Sequence, residues 1–458
     1  MTDGGRNFTD RGWRVRRALQ HPARVLPLAF LAAIAISTGL LLLPAARADP
    51  AGSTTLVTAL FTATSAICVT GLTVVDTGHW SDFGQAVIIG SVHLGGFGIM
   101  SAATLLALLV ARRLGVRTRL LATAEGRSLD LANVRGVLLR VALIQLAFEA
   151  AIAIPLAVRW RVSYGQEPRE ALWNGVFHGI SAFNNGGFSL FPDSVESFVG
   201  DWWISTPLAF GVIAGSLGFP VLIELFRHGR QPGRWSVHAR LTVWGSVALL
   251  AAAFVALLAL EWRNPATLGQ LGVPDKILAA FFNGAMPRSG GFHSVEFAAM
   301  RPETITVTNV LMFIGGGSAS TAGGIKVATF LLLGFVIWAE IRGEPDVTVG
   351  RRRIAGPAQR EALSVALLGV ALVTIGTLLV EMLTDGFRFE HIMFDVISAF
   401  GTVGLSVGVT AESPAPVQLV IAALMYVGRL GPAVVATGLA LNTRQRHYRY
   451  PQERPIVG

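Results

Sequence analysis

The stretch SAFNNGGF at residues 181–188 places two amides and two glycines inside a strongly apolar chain. Three other stretches share its frame: SAICVTGL at 65–72, AMPRSGGF at 285–292 and SAFGTVGL at 398–405. Each has two small or apolar residues, four variable ones and a glycine followed by Leu or Phe. The shared glycines are Gly71, Gly187, Gly291 and Gly404. A frame that recurs about once in every quarter of the chain predicts four structural repeats.

The composition is that of a membrane protein. Of the 458 residues, 52% are hydrophobic and 14% are charged, and the mean hydropathy is +0.57; soluble domains carry about 25% charged residues. We therefore predict an all-α integral membrane protein. Eight runs approach the roughly 20 apolar residues that a bilayer core requires, and they lie at about residues 24–46, 82–111, 136–159, 203–226, 240–262, 305–340, 361–383 and 416–440.

The net charge of +9 follows a membrane topology along the chain. Of the 37 Lys and Arg residues, 27 lie in the first 24 residues, near residues 112–140, 227–240 and 326–360, or after residue 440. Because basic residues concentrate in cytoplasmic segments, we expect both termini in the cytoplasm at the plasma membrane. The basic clusters then determine topology or face membrane lipids, and no nucleic-acid partner is expected.

Each repeat also contains an apolar segment too short to cross a bilayer. These segments lie at residues 53–67, 169–183, 275–287 and 389–400, directly before the glycine of each frame. Every unit therefore reads as span, half-helix, loop and span. Non-helical backbone at membrane depth is tolerated only where it is buried in protein or lines a watery cavity.

Four such loops can meet on one axis and form a cation path. The half-helices would direct the negative ends of their dipoles inward, and loop carbonyls would replace part of an ion's hydration shell. The variable positions share no side-chain ligand, which favours backbone coordination. The candidate filter residues are Val69, Thr70, Gly71, Asn185, Gly186, Gly187, Ser289, Gly290, Gly291, Thr402, Val403 and Gly404. The alternative is that these small residues only pack helices together.

A glycine-rich run interrupts the longest apolar segment near its middle and predicts a break in that span. It comprises Gly315, Gly316, Gly317, Ser318, Ala319, Ser320, Thr321, Ala322, Gly323 and Gly324. Unwound backbone there implies a water-lined cavity below the filter, so we interpret the run as an intramembrane gating loop. A glycine-rich helix packed on a neighbour is the alternative.

Several polar side chains fall at apparent membrane depth. Arg429 lies near the centre of the last span, and we hypothesise that it pairs with carbonyls of the gating loop; snorkelling to the interface is the alternative. Arg288 is expected to point behind its loop. Asn184 and Asn185 are expected to brace the second loop, since buried amides need partners. Two further residues are expected to be packed hydrogen-bond partners, with a proton relay as the alternative: His93 and Glu149.

These residues resemble the Trk/Ktr/HKT superfamily of potassium transporters, specifically its KtrB-type membrane subunit. VTGL at 69–72, FNNGGF at 183–188, RSGGF at 288–292 and GTVGL at 401–405 are similar to the four filter loops of that family. HLGGFGIM at 93–100, GGGSASTAGGIKV at 315–327, YVGRLGP at 426–432 and YPQERPIVG at 450–458 are similar to further family signatures. The resemblance covers essentially the whole chain.

The resemblance implies K⁺ as the transported ion, because all-glycine filters accompany K⁺ preference in the family. A serine at the first glycine accompanies Na⁺ permeation in some plant members, and this chain has Gly71 there. Alanine is commoner in the family at Gly186 and Gly290. The family further implies a homodimer and a cytosolic KtrA-type regulatory ring, which carries the nucleotide. Whether Na⁺ is an activator stays open.

These expectations divide the chain into six segments. They are a cytosolic N-terminal segment (1–24), four pore repeats (25–130, 131–235, 236–355 with the gating loop, and 356–440) and a cytosolic tail with a dimer contact (441–458).

Two other functional classes are weighed against an ion-conducting subunit. A coupled secondary transporter uses broken helices, but inverted repeats would need an odd number of spans each, and these repeats have two. An intramembrane enzyme would need a catalytic signature. The nine histidines include no H-E-x-x-H pair, and the single Cys68 has no catalytic signature beside it.

Overall fold

The computed structural model describes residues 22–49, 53–113, 134–350 and 352–441. Within them the chain folds into α-helices, five short 3₁₀ turns and one two-stranded hairpin. The predicted N-terminal segment up to residue 21 and the tail from residue 442 lie outside the described residues, as does Arg351. The division into six segments therefore stays a prediction.

The described residues of the first two repeats form seven helices. The first has α1 (Pro22–Leu41), the half-helix α2 (Leu56–Ile67) and α3 (Asp82–Arg113). The second has α4 (Val134–Ser163), the half-helix α5 (Pro168–Phe183), α6 (Trp202–Leu217) and α7 (Phe219–His228). Short 3₁₀ turns lie in the connections, at Pro44–Ala46, Thr77–His79, Glu196–Phe198 and Pro232–Arg234.

The third and fourth repeats contain the remaining elements. The third has α8 (Val237–Glu261), the half-helix α9 (Val273–Ala285), a 3₁₀ turn (Phe297–Ala299), α10 (Pro302–Phe313) and α11 (Val327–Arg342). An antiparallel hairpin follows, with β1 (Thr348–Val349) pairing Thr348 with Arg353 of β2 (Arg352–Arg353). The fourth has α12 (Gly356–Leu383), the half-helix α13 (Phe389–Gly401), α14 (Val409–Glu412) and α15 (Ala415–Leu441).

Each predicted span corresponds to a helix or to a broken pair of helices. In the described residues, α3, α4, α8 and α12 are long and apolar enough to cross a membrane, and α6 with α7 would be a fifth span. The apolar helical stretches Val25–Leu41 and Ala415–Gly431 are shorter. The run at 305–340 is divided between α10 and α11, as predicted. The unbroken span expected at 203–226 is wrong, because the helix breaks at Gly218 and bends by 102°.

The half-helices form the interior, and the spans surround them. Each half-helix carries a phenylalanine that is at most 1% exposed: Phe61, Phe177, Phe282 and Phe394. The spans instead present exposed Leu, Ile and Val side chains, as expected where hydrocarbon is the solvent. The half-helices begin within three residues and end within two residues of their predicted bounds. At about 1.5 Å per residue, all four half-helices are shorter than a 30 Å hydrocarbon core, and α5, with 16 residues, is the longest of them.

Candidate functional site

Local sequence determines where the half-helices begin. The hydroxyl of Thr55 accepts a hydrogen bond from Thr58 N and caps α2. Pro168 and Pro274 lie in the first turns of α5 and α9, where proline leaves no intrahelical bond unmade. All four half-helices end directly before a loop of the shared frame. Their carboxyl ends therefore meet the four loops.

The four loops repeat one backbone conformation. In each loop the shared glycine and the residue two positions before it have positive φ, while the residue between them does not. The non-glycine members of this pattern are Val69 (54°), Asn185 (61°), Ser289 (64°) and Thr402 (45°). Such residues adopt positive φ only where the surroundings enforce it.

Each of the four loops has amide groups that are bonded back to its half-helix. Thr70 N donates to Ser65 O at 2.8 Å, and Gly71 N donates to Ser65 Oγ at 3.1 Å. The fourth loop repeats both bonds with Ser398, at 2.8 Å from Val403 N and 3.2 Å from Gly404 N. In the second loop Gly186 N donates to Ser181 O at 2.6 Å. The third loop has Ala285 at the serine position, and Gly290 N donates to Met286 O at 2.7 Å.

The carbonyl oxygens of the candidate filter residues take no part in the hydrogen bonds formed within the described part of the chain. Among the hydrogen bonds between described residues, none is accepted by a carbonyl oxygen of the twelve candidate filter residues. Buried carbonyl groups usually have partners. Within the described residues these twelve oxygens, in four equivalent loops, are therefore available to water or to a cation.

The loops form a closed ring. A Cβ placed on Gly71 would stand 2.9 Å from Gly187 Cα, and one placed on Gly187 would stand 2.8 Å from Gly291 Cα. A Cβ placed on Gly404 would stand 3.1 Å from Gly291 Cα and 3.2 Å from Gly71 Cα. Consecutive loops are thus neighbours, and the fourth returns to the first. Contacts this close leave no room for side chains at the shared position.

The glycine-rich run is an ordered loop, not a helix. Helix α10 ends at Phe313, and α11 begins at Val327. The base of the loop is closed by Gly315 N donating to Ile325 O at 2.8 Å and by Ile325 N donating to Phe313 O at 3.2 Å. The alternative of a continuous glycine-rich helix is therefore wrong.

The loop lies against three of the four ring loops. Thr321 Oγ1 donates to Asn185 Oδ1 at 2.7 Å in the second loop. Gly323 N donates to Ser289 Oγ at 3.1 Å in the third loop. A Cβ placed on Gly323 would stand 2.1 Å from Thr402 Oγ1 in the fourth loop. Polar contacts therefore join the run directly to the ring.

Two basic side chains reach the glycine-rich loop. Arg429, which is 4% exposed, donates from Nη1 to Thr321 O, and Lys326 Nζ donates to Ala322 O. The structure thus brings Arg429 to the loop rather than to the membrane interface. Arg288 points away from the ring, as expected: its Nη2 donates to Ser246 Oγ on α8 at 2.9 Å.

A buried polar cluster lies behind the second loop. Glu149 Oε1 accepts from Asn184 Nδ2 at 2.6 Å and from Gln145 Nε2 at 3.1 Å, and it lies 2.9 Å from His93 Nδ1. Gln145 Nε2 also donates to Asn184 Oδ1 at 2.9 Å. Asn184 directly precedes the candidate filter residues, so this cluster joins α3 and α4 to the end of α5.

Sequence reasoning missed the residues that hold the segments after the ring. Asp395 accepts from Ser406 Oγ at 2.7 Å and from Val407 N at 3.0 Å. Asn283 Oδ1 accepts from Ser294 N at 3.1 Å, and His178 Nε2 lies 3.0 Å from Ser189 Oγ. The available signal was a polar residue eight or nine positions before each of these three shared glycines.

No group of three or more His, Cys, Asp or Glu side chains capable of holding a metal ion occurs in the described part of the chain. The unpaired carbonyl oxygens of the ring are the groups of the described residues that are available to a cation. Main-chain carbonyl oxygens suit hard cations with weakly held water.

The family assignment agrees with this architecture. The family model for TrkH, described as a cation transport protein, matches residues 1–446. This chain belongs to the TrkH family. TrkH-family membership confirms the resemblance found in the motifs and identifies a multi-pass membrane transporter. It also excludes the enzyme alternative, since the family transports cations.

Curated TrkH-family relatives cover nearly the whole chain. Ktr system potassium uptake protein B from Bacillus subtilis is 37% identical over 438 residues, which are 95% of this chain and 97% of that protein. The protein of the same name from Vibrio alginolyticus is 36% identical over 437 residues, 95% of this chain and 94% of that protein. Potassium/sodium uptake protein NtpJ from Enterococcus hirae is 31% identical over 451 residues, 97% and 99% of the two chains.

A solved structure shares the fold. The crystal structure of the potassium transporter TrkH from Vibrio parahaemolyticus matches with a TM-score of 0.66 and 19% identity. The match covers 91% of this chain and 85% of the other chain. The predicted all-α membrane fold, with its repeated half-helices, is therefore confirmed.

Proposed function

We propose that this protein is the ion-conducting membrane subunit of a bacterial K⁺ uptake system. The observation that carries the proposal is the closed ring of four loops whose amides bond back to the half-helices while their carbonyl oxygens stay unpaired. Such oxygens replace the water shell of K⁺ as it enters. The relatives named above as potassium uptake proteins support K⁺ as the cargo.

In this proposal the twelve candidate filter residues act through their main chains. The carboxyl ends of the half-helices add partial negative charge near the ion. Because the loop amides are already bonded, the oxygens are held toward the axis before an ion arrives. K⁺ enters from outside and moves down its electrochemical gradient toward the cytoplasm, where both termini lie.

The glycine-rich loop, residues 315–324, serves as the gate in this proposal. It lies against the ring through Thr321 and Gly323, and Arg429 donates a hydrogen bond to it. A guanidinium below the ring also repels a cation that leaves the filter. Opening would require the loop to separate from the ring and from Arg429.

The proposed assembly is a homodimer on a cytosolic KtrA-type ring that binds the nucleotide. The basic cytosolic segments provide charge for docking that ring. The C-terminal stretch 450–458 is the proposed dimer contact, as the family resemblance implies. Na⁺ as an activator is the further possibility that the potassium/sodium relative supports.

The test is complementation of a bacterium that lacks K⁺ uptake, with and without a candidate cytosolic subunit. Wild type should restore growth at low K⁺. Gly71→Ser should weaken rescue, because a Cβ on Gly71 would stand 2.5 Å from Gly186 O in the next loop. Gly78→Ser is the matched control, since a Cβ there meets nothing within 4 Å.

Two results would contradict the proposal. One is no K⁺ flux through purified wild type in liposomes, with or without the cytosolic subunit. The other is equal rescue by the two serine variants at equal expression, because a ring that tolerates a side chain at Gly71 is not the selective element.

A further inference from the structure

Helix α7 has an orientation and a depth that differ from those of the spans. It follows Gly218 and is bent by 102° from α6. The 16 residues of α6 span about 24 Å of a 30 Å hydrocarbon core. If α6 runs along the membrane normal, α7 lies nearly parallel to the membrane plane, within several ångströms of the cytoplasmic boundary. This is the depth of interfacial helices.

The beginning of α7 is tied to the gating loop by backbone hydrogen bonds. Phe219 N donates to Ala319 O at 3.3 Å. On the other side of the break, Gly317 N donates to Ser216 O at 2.7 Å. Thr321 N donates to Gly215 O at 3.3 Å. The break thus pairs its freed backbone groups with the loop, so the loop cannot leave the ring without moving or releasing α7.

A line of aromatic rings joins the other end of α7 to the second filter loop. The ring of Phe226 lies 6.2 Å from that of Phe148 on α4. Phe148 in turn stacks on Phe183 at 5.0 Å between centroids. Phe183 is the last residue of α5. Displacement of α7 would therefore act on both the gate and the ring.

The outer surface of α7 and the turn after it is apolar and basic. Phe226 is 68% exposed, and Arg227, Arg230 and Arg234 are exposed beside it. Glu224 is the only acid between residues 219 and 240. Its carboxylate is already hydrogen-bonded at the amino terminus of α8, where Glu224 Oε2 accepts from Ser236 Oγ at 2.8 Å. The exposed charge of this surface is therefore positive.

The turn between α7 and α8 holds these arginines on a packed base. Trp235 Nε1 donates to His228 O at 3.0 Å. Trp235 is 9% exposed and packs with Val221 and Ala239. A ligand on the arginines would therefore act on a stiff unit rather than on a loose loop.

We propose that anionic phospholipids of the inner leaflet bind this surface and set the position of the gate. Their phosphates pair with Arg227, Arg230 and Arg234, while Phe226 inserts among the acyl chains. An amphipathic basic helix at this depth attracts anionic lipid through both its apolar surface and its positive charge. The inference rests on the proposed function and on the proposed orientation of the protein in the membrane. It adds a regulator that acts without a protein partner.

The test compares Rb⁺ uptake by purified protein in phosphatidylcholine liposomes with and without phosphatidylglycerol. The variant Arg227→Gln/Arg230→Gln/Arg234→Gln removes the site. Arg352→Gln/Arg353→Gln/Arg360→Gln removes the same charge from exposed positions on the hairpin and the first turns of α12. Native mass spectrometry counts phosphatidylglycerol retained by each protein. Glycerol 3-phosphate added to phosphatidylcholine liposomes tests a soluble phosphate source.

We expect phosphatidylglycerol to change wild-type flux and the α7 variant to lose that response. Lipid affinity should fall by about fivefold for each arginine removed, while the hairpin variant should behave as wild type.

Wild-type flux that is indifferent to phosphatidylglycerol would overturn the inference but leave K⁺ conduction intact. An equal response in the α7 variant would overturn it, as would an equal effect of glycerol 3-phosphate. A lipid response that appears only with a cytosolic protein present would assign the surface to that protein instead. Absence of flux in every lipid would overturn the proposed function itself.

Discussion

At the scale of single residues, Arg429 is the most exceptional side chain of the site. A charge near the centre of a span costs about 2.5–3.5 kcal/mol on insertion scales, and Arg429 is 4% exposed. Its Nη1 is bonded to Thr321 O, while its Nε and Nη2 have no partner among the described residues. A partly satisfied guanidinium holds the loop through one contact, so a modest change in its surroundings can release it.

Arg429→Ala should raise Rb⁺ flux in the absence of any regulator. A hydrogen bond to a charged group contributes about 1.5–3 kcal/mol, so its loss should shift the balance between closed and open loop by about tenfold or more. Flux into liposomes measures the effect. Arg429→Lys, which keeps the positive charge but not the planar guanidinium, should change resting flux less than Arg429→Ala does. Resting flux that is unchanged in Arg429→Ala would remove this residue from the gate.

A second prediction at this scale concerns Glu149. Glu149→Ala would leave the donors of Asn184 and Gln145 without their shared acceptor, and each unsatisfied buried group costs about 1–3 kcal/mol. We expect a lower unfolding midpoint and a lower K⁺-to-Na⁺ flux ratio, because Asn184 anchors the second loop. Glu149→Gln keeps an acceptor and should be milder. A fall in stability without any change in the flux ratio would limit the cluster to a structural role.

At the scale of elements, the break between α6 and α7 depends on Gly218. Its φ of 90° and ψ of 145° lie near a region that essentially only glycine adopts. A Cβ there would stand 2.6 Å from Ser318 O. The bend and the gating loop therefore fit against each other, and each supplies hydrogen-bond partners that the other needs at membrane depth.

Gly218→Ala should destabilise the protein by about 1–3 kcal/mol. The strain acts at the break and against the gating loop. The unfolding midpoint should therefore fall, and the closed state should be less populated. Scanning fluorimetry in detergent and resting Rb⁺ flux measure the two effects. Gly334→Ala on α11 is the control, because a Cβ there meets nothing within 4 Å. Equal midpoints for the two variants would contradict this account.

The contrast between these elements explains what sequence could predict. The half-helices were predictable because each is a short apolar segment before the same loop, and a span shorter than the bilayer has few folded solutions. The break at Gly218 was not, because GVIAGSLGFP at residues 211–220 is continuously apolar or small. Its conformation depends on Ser318 and Ala319, about one hundred residues later in the chain. Likewise, no local pattern pairs His93 with Glu149.

At the scale of the whole molecule, charge and symmetry together specify the topology. Two spans per repeat return the chain to the same side, so basic connections recur on one side. In the proposed orientation the half-helices enter from the opposite side, which brings all four carboxyl ends to a common depth. The proposed membrane orientation and the proposed filter geometry therefore both follow from one repeated unit.

Cysteine labelling should verify the orientation. The only cysteine, Cys68, is buried and should not react with a membrane-impermeant maleimide. Glu167→Cys, at an exposed position before α5, should label in intact cells. Arg230→Cys, in the turn after α7, should label only after permeabilisation. The reverse result would invert the proposed topology and place the gate on the wrong side of the filter.

The third ring loop, with Ala285 where the other three have serine, has a wider consequence. Its Ser289 hydroxyl instead donates to Gly401 O and accepts from Gly323 N. In a pore built from four identical chains, any such substitution would occur in all four subunits. Tandem fusion allows the four repeats to diverge, so one loop can acquire hydrogen bonds that the other three lack. The contacts of one loop with the glycine-rich run can therefore change without any change in the sequences of the other three loops.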